Sequence, residues 1–99
     1  MIKIWLDDIR SAPDNSWIVV RNAEDAWEII SKCDVEQISL DHDLGENKPT
    51  GYDLCNKIEA AVYIGTMKSV PEMTVHSANP VGRANMERAI VAIKRRVEK

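Results

Sequence analysis

Residues 37–43 read Gln-Ile-Ser-Leu-Asp-His-Asp, a short, largely apolar run that passes directly into charged and titratable side chains. Such a run, bounded by polar residues, predicts a buried β-strand. We therefore expect a strand over 37–40, with Asp41, His42 and Asp43 directly after its last residue.

Polar residues follow all the other predicted strands at the same position. These strands are predicted over 2–6 (Ile-Lys-Ile-Trp-Leu), 17–20 (Trp-Ile-Val-Val) and 73–75 (Met-Thr-Val). The residues directly after them are Asp7, Asp8, Arg21, Asn22, His76 and Ser77. Three of the four strands thus end in side chains suited to acid–base or metal chemistry.

Three helices are predicted from their capping signals. Asn22 caps a helix over 23–33, Thr50 caps a second, and Asn79, with proline next, begins a third. The segment 7–16 is rich in turn formers and too short for a crossover helix. The resulting order, β-β-α-β-α-β-α, predicts an α/β domain with a mostly parallel four-stranded sheet covered by helices.

The bulk properties narrow the class of protein. A chain of 99 residues with 44% hydrophobic and 29% charged residues predicts one globular domain over 1–99. The net charge of -3 argues against long duplex nucleic acid as a partner, because such binding needs many Lys and Arg contacts. No segment resembles a signal peptide or a membrane span, so we expect a cytoplasmic protein without a membrane partner.

The aromatic and sulfur-bearing side chains are expected in the core. Trp5, Trp17 and Trp27 occupy apolar positions, and only Trp17, beside a turn, is a candidate for stacking on a ligand. Cys33 and Cys55 lack the CxxC spacing of a metal or redox pair, which predicts reduced core residues.

The polar strand ends predict one ligand site, because parallel α/β sheets bind ligands at the carboxyl edge of their strands. Asp7, Asp8 and Asp41 would form a cluster of carboxylates there, and such clusters hold hard cations through oxygen ligands. We predict these three residues as ligands of Mg²⁺ or another divalent cation. The competing interpretation is that they are solvated turn residues.

His42 and His76 are the only histidines in the chain, and both follow strands. Imidazole suits proton transfer near neutral pH, and two of them beside a phosphate would serve as general base and general acid. The predicted catalytic residues are the two histidines together with Asp41 and Asp43, which flank His42. A metal-free mechanism on the histidines and a purely structural role for each are the alternatives.

A phosphate seat is predicted around the start of the third helix. Asn79 and the proline after it leave free backbone N–H groups beside Ser77, whose hydroxyl would also contact the phosphate. Arg10 and Arg83 are the candidate arginines, because guanidinium groups suit bidentate phosphate contacts. The alternatives are a turn role for Ser77, a ligand-free helix start and surface ion pairs for the arginines.

The strand-end residues resemble the conserved set of response-regulator receiver domains. Asp7 and Asp8 match the acidic pair, Asp41 the phospho-acceptor and Ser77 the hydroxyl residue. The resemblance implies a receiver-like, flavodoxin-like domain of three layers. The sequence departs from the pattern in three ways: it lacks the helix between the first two strands, it shows no fifth strand with its lysine, and its acceptor lies within Asp-His-Asp.

A fuller set of motifs looks like the receiver-derived family called the cyclic-phosphate processing receiver domain. Along nearly the whole chain these motifs are Leu-Asp-Asp-Ile-Arg (6–10), Ser-Leu-Asp-His-Asp-Leu-Gly (39–45), Thr-Gly-Tyr-Asp (50–53) and His-Ser-Ala-Asn-Pro (76–80). This resemblance implies hydrolysis or rearrangement of cyclic phosphates.

We therefore expect a phosphoesterase of the cyclic phosphodiesterase type. Its ligand would be a small or terminal phosphate, such as the 2′,3′-cyclic phosphate of an RNA end or a cyclic nucleotide. The alternative is a non-enzymatic pseudo-receiver that binds a partner or a phosphate ligand. The histidine pair argues against that alternative, because a docking module does not need it.

Overall fold

Four strands and three helices follow one another along residues 1–98, the part of the chain that the computed structural model describes. The strands are β1 (Ile2–Leu6), β2 (Ile18–Val20), β3 (Val35–Leu40) and β4 (Glu72–Val75). The helices are α1 (Ala23–Lys32), α2 (Gly51–Ile64) and α3 (Pro80–Val97). Within the described part of the chain, no helix combines the length and the apolar character needed to cross a membrane.

The four strands form one sheet in the order β2-β1-β3-β4, and every neighbouring pair is parallel. The predicted α/β fold and element order are therefore confirmed. β3 begins at Val35, earlier than the predicted Gln37, because Val35 is buried and pairs with Ile2 although charged residues flank it.

The strand ends are aligned by backbone hydrogen bonds that extend beyond the ladder. Asp41 N–H donates to the Leu6 carbonyl (3.0 Å), and His76 N–H donates to the Leu40 carbonyl (2.9 Å). Asp7 N–H donates to the Val20 carbonyl in the same way (3.1 Å). The first residues after β1, β3 and β4 are therefore held at one level of the carboxyl edge.

All three helices lie on one face of the sheet, which corrects the expected three layers to two. Each helix contributes to a single core cluster with Ile4, Leu6, Ile38 and Leu40, and α2 packs against both α1 and α3. The reason is topological. The crossovers from β2 to β3 and from β3 to β4 run in the same direction, and right-handed crossovers then place their helices on the same side.

The opposite face of the sheet, here called the open face, carries Lys3, Trp5, Val19, Gln37, Ser39 and Thr74. The loop between β1 and β2 covers one part of it, and the His76 ring covers Trp5 and Ser39. Lys3 Nζ donates to Ser16 Oγ (2.9 Å), and the Trp17 ring meets the Trp5 ring edge-on, with 5.8 Å between centroids. This loop takes the place of a crossover helix, and Val19 and Thr74 on the open face remain exposed.

The two cysteines occupy different environments. Cys55 is fully buried on α2, where burial raises the pKa of its thiol to about 12, in keeping with the predicted reduced core residue. Cys33 is exposed, which corrects its predicted place in the core. It ends α1 as the C-cap, and its N–H donates to the Ile29 carbonyl (2.8 Å), so its side chain turns away from the apolar stripe.

α2 approaches the end of β3 so closely that only glycine fits at its first residue. A Cβ atom on Gly51 would lie 2.0 Å from the Asp41 carbonyl oxygen and 2.9 Å from Met86 Sδ. Gly51 N–H donates to the His42 carbonyl (2.9 Å), which fixes this approach. The Thr50 capping box begins the helix at that point.

Replacing Gly51 with Ala is expected to lower the free energy of unfolding by about 3 kcal/mol, because the added methyl group meets rigid backbone. Gly65→Ala is the matched control. Gly65 has a φ of 86° but nothing within 4 Å of its added Cβ, so its cost should be the backbone term alone, about 1 kcal/mol. Urea denaturation of both variants measures the difference, and equal losses would contradict the proposed close contact.

Candidate functional site

Three carboxylates meet at the carboxyl edge of the sheet. Asp7, Asp8 and Asp41 each place one oxygen within 4.8 Å of the other two. Asp7 is completely buried and Asp41 is 7% exposed, whereas Asp8 is only partly buried. The residues predicted to bind a cation therefore lie together, and we call them the carboxylate cluster.

Asp7 is held in its ionised form by a set of donors. Its Oδ1 accepts from the backbone N–H groups of Ile9 (3.0 Å) and Arg10 (2.9 Å), and its Oδ2 lies 3.0 Å from His76 Nε2. Burial raises the pKa of Asp7, but the two backbone donors and His76 outweigh burial and leave that pKa below its usual value.

Asp41 has the opposite balance. Burial and the neighbouring charge of Asp7 raise the pKa of Asp41, although its Oδ1 accepts from the His42 backbone N–H (2.9 Å). Two ionised carboxylates this close repel one another, and a divalent cation between them would remove that repulsion. Oxygen donors of this kind are those that Mg²⁺ prefers, so the cluster fits such an ion.

His76 lies on the open face, between Asp7 and β3. Its ring stacks on Trp5 with 3.8 Å between centroids and planes 7° apart, and its Nδ1 lies 2.8 Å from Ser39 Oγ. Because an ionised carboxylate only accepts, Nε2 carries a proton toward Asp7. In neutral His76 the Ser39 hydroxyl then donates to Nδ1. Both ring nitrogens of His76 are thus engaged.

Trp5 therefore supports the His76 ring, which refines its predicted role as a core residue. It is only partly buried, and its Nε1 has no hydrogen-bond partner among residues 1–98. Stacking against His76 and the edge-on contact with Trp17 hold the ring instead. Trp17, predicted as a stacking candidate for a ligand, packs on another tryptophan.

His42 lies on the helix side of the edge, against the start of α3. A Cβ on Gly82 would come within 2.3 Å of the His42 ring, so glycine is required where the two meet. His42 Nδ1 lies 2.9 Å from Asp43 Oδ1. The hydrogen bonds from His42 and Asn79 lower the pKa of Asp43, so the ionised Asp43 accepts a hydrogen bond from Nδ1–H, and the lone pair of neutral His42 lies on Nε2.

The start of α3 is organised by its own side chains. The Asn79 amide oxygen accepts from Gly82 N–H (3.0 Å), and its Nδ2 donates to Asp43 Oδ2 (3.3 Å). Ser77 is 5% exposed, and its Oγ accepts from the Asn79 N–H (3.1 Å). Asn79 is thus engaged as a helix cap, while Ser77 and the first turn of α3 lie beside Asp41 and His42.

The two predicted arginines are placed differently. Arg10 lies at the carboxylate cluster, where its Nε is 3.9 Å from Asp7 Oδ2 and its guanidinium donates to the His76 carbonyl (3.3 Å). Arg83 instead faces Glu87, one turn along α3, at 3.8 Å. Residues four apart share a helix surface, so the surface ion pair is the interpretation that the structure supports for Arg83.

Sequence reasoning missed two residues that organise the site. Ser39 is buried in the middle of an apolar strand and contacts His76. Arg21 donates to the carbonyls of Asp7 (3.1 Å) and Arg10 (3.0 Å), which fixes the loop that carries both. A polar residue between Ile38 and Leu40 was the available signal for Ser39; Arg21 followed a strand, but nothing in the sequence indicated what it contacts.

Comparison with known proteins identifies one family. A model of the family described as the cyclic-phosphate processing receiver domain matches residues 2–92. No curated protein and no solved structure matches the chain. The matched range contains every residue of the site described above.

Proposed function

The chain belongs to the cyclic-phosphate processing receiver domain family, and from that membership we propose that it is a phosphoesterase that opens cyclic phosphates. The substrates proposed are small or terminal phosphates, such as cyclic nucleotides and the 2′,3′-cyclic phosphate of an RNA end. Water would attack phosphorus, one P–O bond of the ring would break, and the product would be an acyclic monoester.

The observation that carries this proposal is the carboxylate cluster beside His42. Oxygens of Asp7, Asp8 and Asp41 lie within 4.8 Å of one another, and His42 and Ser77 adjoin Asp41 at the same edge. Phosphoryl transfer depends mainly on positioning and on stabilisation of charge, which a cation site and a helix start supply together. A docking module has no need of such a cluster next to an available imidazole nitrogen.

Asp7, Asp8 and Asp41 are the residues proposed to hold a divalent cation such as Mg²⁺. When bound, such an ion supplies charge neutralisation at the phosphoryl oxygens. The surroundings of Asp7 and Asp41 shift their pKa values in opposite directions. Backbone donors fix Asp7 in its ionised form. Burial and the charge of Asp7 raise the pKa of Asp41, so a nearby positive charge would stabilise the ionised form of Asp41 more than that of Asp7.

His42 is proposed as the general base. Its Nδ1–H donates to Asp43, so Nε2 is free to take a proton from the attacking water as the O–P bond forms. Asp43 orients the ring and stabilises the imidazolium that results. The alkoxide that leaves takes up a proton, for which we propose the imidazolium form of His76 as the donor, through Nε2–H once its bond to Asp7 loosens.

The negative charge on the phosphoryl oxygens needs donors that are already in place. The first turn of α3, the Ser77 hydroxyl and the Arg10 guanidinium are proposed for this role, because each lies next to Asp41, His42 or Asp7. Arg21 acts indirectly by fixing the carbonyls of the loop that carries Arg10.

The test is turnover of 2′,3′-cyclic nucleotides, 3′,5′-cyclic nucleotides and an RNA oligonucleotide with a 2′,3′-cyclic end, each with and without a chelator. The proposal expects a monophosphate product from at least one substrate. The regiochemistry of the product identifies which P–O bond breaks. Saturable binding of these ligands without any product would favour the non-enzymatic pseudo-receiver instead.

Mg²⁺ is expected to raise the melting temperature of the protein by mass action. At ten times its dissociation constant the ion would add about 1.4 kcal/mol to the free energy of unfolding, or roughly 6–11 °C for a domain of this size. Asp8→Asn should remove most of this rise, and Asp34→Asn, at the opposite end of β3, should leave it intact. A melting curve unaffected by Mg²⁺ would favour a mechanism on the histidines alone.

A further inference from the structure

A cleft between α1 and α2 takes no part in the steps above. Its volume is about 270 Å³, and its lining includes Ala23, Glu24, Trp27, Asp53, Leu54 and Lys57. Sites for drug-sized ligands measure roughly 300–1,000 Å³, so this cleft suits a smaller group such as a single planar ring system.

The cleft begins at the same edge of the sheet as the carboxylate cluster. Arg21, which donates to the Asp7 carbonyl at 3.1 Å, is separated from Ala23 by one residue. On the other side, Gly51 contacts the Asp41 carbonyl and is separated from Asp53 by one residue. The two helices that form the walls of the cleft thus begin beside the cluster, and the cleft extends away from the cluster between them.

The aromatic side chain of the cleft lies near the end of α1 that begins at the carboxyl edge of the sheet. Trp27 lies four residues after the first residue of α1, which is about 6 Å along the helix axis. Lys57 occupies the second turn of α2 across the cleft. A ring joined through a sugar to a phosphate at the cluster would extend toward this end of the cleft.

The Trp27 ring offers a surface for stacking. It is partly buried and packs against the core, and Lys57 Nζ lies 5.6 Å from its centroid. The side chain over the Trp27 ring is that of Lys57, which is exposed and flexible and can therefore move aside when a ligand binds. Stacking of a base on an aromatic side chain contributes about 1–3 kcal/mol.

The charges of the lining favour hydrogen-bond donors over phosphate. Glu24 and Asp53 are exposed carboxylates at the two helix starts, and Lys57 is the one cation of the lining. Asp53 Oδ2 accepts from the Thr50 N–H (2.8 Å), which leaves Oδ1 for another donor. An amino group on a flat ring satisfies such carboxylates, whereas a second phosphate would be repelled.

We propose that this cleft binds the nucleobase of the substrate and selects bases that carry an exocyclic amino group. Trp27 stacks on the ring, and Glu24 and Asp53 accept from the amino group. The inference rests on the proposed function and deepens it: the substrates are nucleoside cyclic phosphates, and adenine, guanine or cytosine is preferred to uracil or to a sugar without a base.

Binding of nucleosides tests the cleft without any phosphate chemistry. Adenosine added to ¹⁵N-labelled protein should shift the indole N–H resonance of Trp27, identified by its loss in Trp27→Phe, and leave those of Trp5 and Trp17 unchanged. Uridine should produce a smaller shift at the same concentration. Shifts confined to Trp5 or Trp17, or no shift at all, would overturn the proposal.

Kinetics test the same cleft in the working protein. The KM for adenosine 2′,3′-cyclic phosphate should be about tenfold lower than for ribose 2′,3′-cyclic phosphate, and Trp27→Leu should remove that difference. Glu24→Gln should reduce the preference for adenine over uracil. Tyr63→Leu, which removes a similar ring covered by Arg96 at the far end of α2, is the control and should change neither ratio.

The two experiments separate the inference from the proposed function. If no cyclic phosphate is turned over while adenosine still shifts Trp27, the base site stands and the enzymatic proposal falls. If base-free and base-bearing substrates are turned over with equal KM, the enzymatic proposal stands and the base site is wrong. Glu24 is exposed, so its substitution keeps the test valid even where Trp27→Leu lowers stability.

Discussion

Replacing Asp41 with Asn is expected to stabilise the fold at neutral pH and to reduce turnover by about a hundredfold or more. Loss of a residue that merely supports metal ligands already costs 10- to about 100-fold, and Asp41 is proposed as a ligand itself. Stability should rise because the pKa of Asp41 is raised by burial and by the charge of Asp7. The variant carries neither the charge nor the repulsion.

The pH dependence of this gain follows from linkage. A group whose folded pKa is raised contributes stability below its unfolded pKa, about 3.9 for Asp, and loses that contribution as pH rises through the folded value. The free energy of unfolding of Asp41→Asn should therefore equal that of the original protein near pH 4 and exceed it at pH 7. Urea denaturation with a chelator present, at both pH values, measures the difference.

Asp7→Asn is the matched comparison, and its stability effect should have the opposite sign. The pKa of Asp7 is lowered because its backbone donors and His76 outweigh burial, so its contribution is present above the unfolded pKa and lost as pH falls through the folded value. Loss of a hydrogen bond to a charged group costs about 2 kcal/mol. Equal destabilisation by both variants at pH 7 would contradict the assigned balance of charges.

The positions of Asp7 and Asp41 could be predicted from the sequence, but their opposite pKa shifts could not. Periodicity and caps predicted the elements, because each is a local signal. The parallel sheet follows from their order, and so does the meeting of Asp7 with Asp41 at one edge. Neither the lowered pKa of Asp7 nor the raised pKa of Asp41 is local, since each depends on backbone donors and neighbours from other segments.

The expected third layer was wrong for a related reason. The side of the sheet on which a helix lies is determined by the direction of each crossover, and strand order is not visible in the spacing of apolar residues. The two residues that contact the His76 ring could not be predicted for the same reason. Trp5 and Ser39 are paired across β1 and β3 by register, 34 positions apart in sequence, and only the folded sheet brings both to one ring.

His42→Ala is expected to lower the rate by at least about a hundredfold, the lower end of what a positioned proton transfer contributes. Its effect on stability should be small, because the His42 ring is tied mainly to the exposed Asp43 and rests on the surface of α3. Added imidazole should restore part of the activity, since the missing ring leaves room beside Gly82. Rates with and without imidazole, together with melting curves, measure both effects.

His76→Ala is the matched comparison, because it should reduce stability as well as activity. This substitution removes the stack on Trp5 and leaves the buried Asp7 without one of its donors, so stability and activity should fall together. Free imidazole should not rescue it, because the site needs an oriented Asp7 as well as a ring.

The pH profile then assigns the proton donor. Two imidazoles acting as base and acid give a bell-shaped dependence of the rate, because one must start neutral and the other protonated. Loss of only the acidic limb in His42→Ala would establish it as the base and leave His76 as the acid. If the bell survives in His42→Ala and turnover is unchanged, the base lies elsewhere, and the Nε2 lone pair of His42 plays no part in the reaction.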